Sequence, residues 1–453
     1  MNVKMKHWLP LMAVFSNTCQ AIDWLLEPDF SVTERYSDNV SMQSNPASII
    51  SSMITTLSPA ILLGYQAEDN ELRTHFRWNQ LIYHNASFLD FSEKLLDVNH
   101  RYHGERFTTG LAARYYEQSS INNQLIDPTL DVAGQTLIPR YTRSIAPNFT
   151  FVLTEKNSLQ FDYSYEDVSF DRPENLRSLR FSDYTSQQFS ATLTHAYSER
   201  LSFNLVGAYS LFDSSVSYPA NTSIENGVIF FGNTPFLVPL PSPASRSITT
   251  DYDQKSKNFF YQAGLQYAFD ELTQLSLSAG MRNTDNKTRI SQTTTYDPEI
   301  PFFGLINNTV ENNLSSKASG HVFSANLNRK GEWGDFALNA NQQLNPSSSG
   351  SQAQTTSFSA TAHYNLNERW STGLTANYRI SEYTNVFNAV NTRYDSTYTT
   401  LSPRIRWRWS PEVNLELSYT YAQREYTSSH QTSVGNNVQL QFSYQPKINR
   451  QVK

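Results

Sequence analysis

The chain has 453 residues, a formal net charge of −6, 17% charged residues and 13% aromatics, with 55 Ser and 39 Asn supplying most of the polarity as neutral groups. So low a charged fraction is unusual for soluble domains, which run near ~25%. The acidic balance excludes a general nucleic-acid binder, the aromatics exclude disorder, and no run approaches the ~18 apolar residues of a membrane-spanning helix. Many aromatics, few charges and abundant Ser, Asn and Thr are the composition of a transmembrane β-barrel.

Met1 to Ala21 reads as a secretory leader. Lys4, Lys6 and His7 make a basic start, a short apolar core follows, and Cys19-Gln20-Ala21 offers small residues at the positions a signal peptidase inspects. Removing it leaves residues 22–453 as one barrel domain, 453 less 21 or 432 residues. The only cysteine, Cys19, leaves with the leader, so neither a disulfide framework nor a Cys-ligated metal is expected.

Period-two alternation then recurs to the end of the chain. Leu72, Phe76 and Trp78 oppose Arg73, His75 and Arg77. Leu159, Phe161, Tyr163 and Tyr165 oppose Gln160, Asp162, Ser164 and Glu166. Leu201, Phe203, Leu205 and Tyr209 share one face, as do Leu275, Leu277, Ala279 and Met281. Phe358, Ala360, Ala362 and Tyr364 repeat the pattern, and so do Val413, Leu415, Leu417, Tyr419 and Tyr421. A last strand carries Val438, Leu440, Phe442 and Tyr444 on one face. Successive side chains alternate across a strand, so each segment has one apolar and one polar face.

Connection lengths set the topology. Eight short polar turns centre on Asp69, Gly104, Lys156, Glu199, Asp270, Gly331, Glu368 and Pro411, with nine longer segments between them. That predicts an all-β fold of 18 antiparallel strands, with 16 as the alternative, both termini on the short-turn side, and short periplasmic turns facing long external loops. The bacterial outer membrane is the expected location. The expected partners are its lipid and lipopolysaccharide, the barrel-assembly machinery that reads aromatic-ended terminal strands, polysaccharide and periplasmic export proteins, but not nucleic acid.

Two features suggest function. By parity Arg73, His75, Arg77, Arg101, Arg114, Arg404, Arg406 and Arg408 point into the lumen from the third, fourth, fifth and sixteenth strands. Closure would gather them in one sector, where Arg-lined walls favour anions. The plainer reading pairs them with Asp97, Asp162 or Glu416 as a solvated ladder. A three-residue turn at Ser410-Pro411-Glu412 predicts Arg406 directly opposite Glu416, Arg408 opposite Asn414 and Arg404 opposite Ser418. The second feature is a predicted loop from Tyr218 to Pro243. Ile229, Phe230, Phe231, Phe236 and Leu237 make it too apolar to stand bare in water, so it is expected to constrict the pore or dock a partner; the alternative is a self-packed external cap.

The mature start, Asp23-Trp24-Leu25-Leu26-Glu27-Pro28 through Arg35-Tyr36-Ser37-Asp38-Asn39-Val40, carries a pattern x-P-x-(F/L)-x-V-x-E-x-Y-(T/S)-D-N-(V/I). It resembles the β-barrel porins found beside bacterial exopolysaccharide and exosortase (PEP-CTERM) gene clusters, on Phe30, Val32, Glu34, Tyr36, Asp38 and Asn39. The resemblance implies a barrel tied to secretion or assembly of surface polysaccharide, and it supplies no catalytic residues.

No phosphate-binding glycine loop and no zinc-type His/Glu motif stand out, so no enzyme activity, cofactor or metal is expected. The leading expectation is a porin-like conduit for exopolysaccharide or hydrophilic, anionic solutes. The alternatives are a non-conducting scaffold or adhesin barrel that binds surface polysaccharide, and a barrel-borne hydrolase of lipid or glycan.

Overall fold

The computed structural model describes residues 22–121, 137–171, 181–231, 234–297, 299, 305–348, 350–383, 395–427 and 429–446; the side chains of 221 and 224–244 are outside that description, as is the predicted leader. Eighteen strands follow in chain order: β1 (Asp23–Ser37), β2 (Ser52–Gln66), β3 (Asn70–Tyr83), β4 (Phe91–His103), β5 (Phe107–Ser119), β6 (Pro139–Thr154), β7 (Asn157–Phe170), β8 (Asp183–Ala196) and β9 (Leu201–Phe231). The second half comprises β10 (Thr234–Ala268), β11 (Thr273–Asp297), β12 (Asn308–Lys330), β13 (Gly334–Pro346), β14 (Gln352–Asn365), β15 (Trp370–Tyr383), β16 (Ser396–Arg408), β17 (Val413–Tyr426) and β18 (Gln431–Tyr444). Each pairs antiparallel with its sequence neighbours. β18 also pairs with β1, from Phe30 opposite Tyr444 to Ser37 opposite Asn437, and this closes the sheet. The 16-strand alternative is thereby removed.

Closure is clasped by the first strand's own motif. The Asp38 carboxylate accepts the backbone N–H and the side-chain amide of Asn436, both at 2.7 Å. The Asn39 amide donates to the Val434 carbonyl at 2.9 Å. Asp-Asn after β1 therefore has a structural role at the seam.

All eight predicted short turns are present. Five share one device, a side-chain oxygen at the turn's start that accepts the N–H groups two and three residues on. Thr154, Ser198, Asp270, Asn367 and Ser410 supply it. Aromatics ring this end. Trp370, Trp407 and Trp409 stack at 5.6 and 5.7 Å between centroids, and Trp24 meets Tyr65 while Tyr102 meets Phe107.

The outward face is apolar: Leu26, Phe30, Leu205, Phe358, Leu417 and Leu440 are all exposed. At the opposite, long-connection end, three small cores among the described residues lie on the inner face, where connections fold back onto the strands. Val40, Ala86, Leu89 and Ile121 pack on Ile54, Leu81 and Tyr83. Phe181 packs with Ile138, Val168, Phe170, Tyr184 and Phe212. Met42 covers Tyr398 and Ala422.

The segment from Tyr218 to Pro243 is not an irregular loop. β9 and β10 run on past the other strands as a two-stranded ribbon, with Leu237 opposite Val228, Phe236 opposite Ile229, Pro235 opposite Phe230 and Thr234 opposite Phe231. Backbone pairing continues there because Val, Ile, Phe and Thr suit extended chain, and the prolines interrupt it only between Pro239 and Ala244. What the side chains of Ile229, Phe230, Phe231, Phe236 and Leu237 touch lies outside the described residues.

Candidate functional site: the lumen

An isolated sheet spanning a bilayer must satisfy its backbone internally, and only a closed barrel does so. Here the sheet closes on itself, its outward face is apolar and its inward face polar. The chain is a transmembrane β-barrel. Its candidate functional site is the lumen.

The register sets all the predicted arginines on the inward face, opposite the apolar residues, but in two groups. β17, β18, β1 and β2 stand between β16 and β3, so closure does not bring them into one sector. Most of the first group stands beside carboxylates. Arg73 pairs with Glu71. His75, Asp97 and Arg114 stand in line across β3, β4 and β5, with Arg114 to Asp97 at 3.3 Å. Arg101 lies opposite Glu71 and Arg77 opposite Leu95. Asp162, offered as an arginine partner from sequence, instead accepts from Gln160 and Ser190.

In the second group, Arg406 sits opposite Glu416, Arg408 opposite Asn414 and Arg404 opposite Ser418, as the turn length requires. Arg406 donates from Nε at 2.9 Å and from Nη2 at 2.7 Å to one Glu416 oxygen. Arg404 lies across Gly373, where a Cβ would stand 2.7 Å from its Nε. Glycine therefore leaves room for this side chain on the wall.

A deeper feature leaves no mark in the alternation of the strands. A cavity of about 610 Å³ is lined by Arg35, Asn341, Ser357, Asn377, Arg379 and Asn437, with further amides and hydroxyls, and none of its lining residues is acidic. Arg35 comes from β1, Arg379 from β15. Arg379 and Arg424 flank Tyr398 with their guanidinium carbons 5.0 and 5.5 Å from the ring centroid, a cation–π arrangement that holds both side chains against the wall. Parity alone would have turned Arg35 and Arg379 inward, between Glu34 and Tyr36 and between Tyr378 and Ile380. Their convergence depends on closure and on the loop packing above.

A second hairpin enters the lumen. β12 and β13 pair only from Phe323–Gln342 to Lys330–Asp335. Above that point the tip of β13–β14 leaves the wall and packs on the inner face of β8–β11. Ser182 donates its N–H to the Ser348 carbonyl at 2.7 Å, and Ser214 Oγ donates to the Gly350 carbonyl at 2.5 Å. Asn258 donates to Gln352 at 3.3 Å and Arg282 to Gln354 at 3.0 Å. Ser348, Gln352, Asn258 and Arg282 are all buried in this contact. Gly320 on β12 allows the lap, since a Cβ there would stand 2.7 Å from the Arg282 guanidinium and 3.0 Å from Gln354. The sequence held a signal: Gln342, Gln352 and Gln354 are polar at positions whose parity is otherwise apolar.

No protein-family model matches the chain, and no curated protein matches it. Solved structures match it in fold. OccK1 (OpdK) of Pseudomonas aeruginosa is 9% identical over 93% of this chain and 98% of that one, at a TM-score of 0.38. OccAB4 of Acinetobacter baumannii is 9% identical over 94% and 99%, at 0.39. The ferric-catecholate import receptor Fiu of E. coli K12 is 7% identical over 92% and 81%, at 0.45.

Proposed function

We propose that this barrel is an outer-membrane conduit for small hydrophilic solutes, with a preference for anionic, hydroxylated ones. One observation carries the reading: the lumen holds a polar cavity lined by two guanidinium groups, neutral amides and hydroxyls, with no acidic residue in its lining, although Glu93 stands close enough to Arg35 to act on its charge. Amides and hydroxyls match a hydroxylated solute, and arginines favour an anion in a pore. Of the lower arginines, Arg73, Arg101, Arg114 and Arg406 stand beside carboxylates and Arg408 opposite Asn414, and they solvate the route to and from the cavity. Short turns at the periplasmic side and tall strands at the external side give the orientation.

Secretion of an exopolysaccharide would use the same lumen. Its support is the first-strand resemblance, whose Asp38 and Asn39 serve closure, so the polar cavity favours small solutes over a polymer. The test is the reversal potential of the reconstituted chain across a planar bilayer under a salt gradient. Anion preference should fall in Arg35→Gln/Arg379→Gln and persist in Arg406→Gln. A wild-type channel selective for cations, or unchanged selectivity in the first variant, would refute the reading.

A further inference from the structure

The tall strands β10, β11 and β12 rise beyond the apolar belt, and on β10 and β11 the two faces differ sharply. The inner face, with Gln254, Ser256, Asn258, Arg282, Thr284 and Asn286, is buried. The outer face is exposed. On it the belt ends at Tyr209, Phe259, Tyr261 and Met281, all exposed to the surroundings of the barrel. The register gives the two outward rows directly above. The first runs Leu211, Lys257, Asp285, Lys317, and the second Asp213, Lys255, Lys287, Ser315. Rows two residues apart are ~7 Å apart along a strand, so both rows lie within headgroup reach of the belt.

Four lysines therefore face two aspartates at this depth. Lys255 reaches Asp213 at 3.2 Å, yet it also stands directly opposite Lys287. Like charges directly opposed on neighbouring strands repel, and an anion placed between them removes the penalty. Elsewhere on the outer wall, among the described residues, the charges at this end are matched or acidic. Lys94 meets Glu117 at 2.9 Å and Arg143 meets Asp167 at 3.1 Å, while β15 and β17 present Glu382 and Glu425 outward. The row above the patch, with Asp253 opposite Arg289, returns to balance. The positive excess is confined to the strip next to the lipid belt.

We propose that this strip of β10–β12 binds the phosphate of a phosphorylated glycolipid in the outer leaflet. The ligand's phosphate would lie between Lys255 and Lys287, flanked by Lys257 and Lys317. Its sugar would lie on Ser315 and Asn283, and its acyl chains would run down past Phe259, Tyr261 and Met281. Contact with the belt is what selects a lipid-borne phosphate over a free one. The inference rests on the outer-membrane reading of the barrel and its orientation, and is independent of what passes through the lumen.

The experiment places the folded full-length chain in phosphatidylcholine nanodiscs doped with bis-phosphorylated lipid A or with its dephosphorylated form. Retained lipid is read by native mass spectrometry after detergent extraction. The wild type should retain the phosphorylated form about ten-fold over the other, a preference equal to ~1.4 kcal/mol. Lys255→Gln/Lys257→Gln/Lys287→Gln/Lys317→Gln should lose it. Should that variant fold poorly, Lys255→Gln/Lys287→Gln should lose most of it. Lys330→Gln/Arg369→Gln at the short-turn end should keep it. Three results would overturn the proposal: no preference in the wild type, an equal loss in the short-turn control, or displacement by excess inorganic phosphate, which would mark a free-anion site. Channel conductance measured on the same samples reports on the conduit reading alone.

Discussion

Releasing the tip of β13–β14 should widen the channel, and the size of the effect follows from its contacts. Among the described residues, hydrogen bonds from Ser182, Ser214, Asn258 and Arg282 hold the tip on the inner wall of β8–β11, two of them through Gln352 and Gln354. Gln352→Ala/Gln354→Ala deletes one neutral bond, worth ~0.5–1.5 kcal/mol net, and one bond to a guanidinium, worth ~1.5–3 kcal/mol. The combined loss is roughly 2–4.5 kcal/mol. At ~1.4 kcal/mol per factor of ten, the ratio of displaced to docked tip rises roughly 30- to 2000-fold. Single-channel recordings should then show larger conductance or frequent wide openings. The opposite perturbation is Ser182→Cys/Ser348→Cys, whose backbones are already hydrogen-bonded at 2.7 Å. Oxidised, it should hold the channel in its narrow state, and a reductant should reverse this. If the released and the cross-linked forms conduct alike, the tip does not set the constriction.

Leu417 is 48% exposed on the outer face, so Leu417→Arg should cost ~2–4 kcal/mol near mid-membrane, whereas Ser418→Arg, one residue on and facing the lumen, should be tolerated; equal unfolding midpoints for the two in reconstituted samples would contradict the barrel geometry of this strand. Asp38→Ala removes both hydrogen bonds to Asn436 at the closure seam and should cost on the order of 2–3 kcal/mol, since bonds to a carboxylate are the stronger kind. Its readout is the temperature at which the folded band on a semi-native gel is lost, and an unshifted temperature would mean that β1–β18 pairing alone closes the barrel. Asp270 sits in a short turn where the N–H of Leu272, then the hydroxyl and N–H of Thr273, hold its carboxyl below the usual carboxylate range. A depressed folded-state pKa gives stability that is present above the unfolded value and fades as pH falls through the folded one. Asp270→Asn should therefore flatten the acid limb of the stability profile below the normal carboxylate range, and an unchanged limb would refute that assignment.

Much of the fold could be read from the chain because a barrel strand states its face at every second residue. Leu415, Leu417 and Tyr419 against Glu416 and Ser418 determine orientation, and the acceptor side chains of Thr154, Ser198, Asp270, Asn367 and Ser410 determine where strands reverse. Together these two local rules give the strand count and the pairing of Arg406 with Glu416. The lumen obeys neither rule alone. Arg35 and Arg379 meet at one cavity only because β18 closes on β1, which leaves three strands between the two arginines' own. The inward hairpin depends on where pairing stops, at Phe323 and Gln342, and alternation does not record a missing partner. Yet the exceptions to alternation mark the places where something else packs. Ile54, Leu81, Tyr83, Val168, Phe170, Tyr184 and Phe212 are apolar at inward parity near the external ends, and each is buried under a returning connection. Gln342, Gln352 and Gln354 are polar at outward parity, and the latter two face a buried polar wall instead of lipid. Burial of an apolar group and satisfaction of a polar one are the same demands that shape the belt and the lumen. A residue on the wrong face for its strand is therefore a statement that a second layer covers it there.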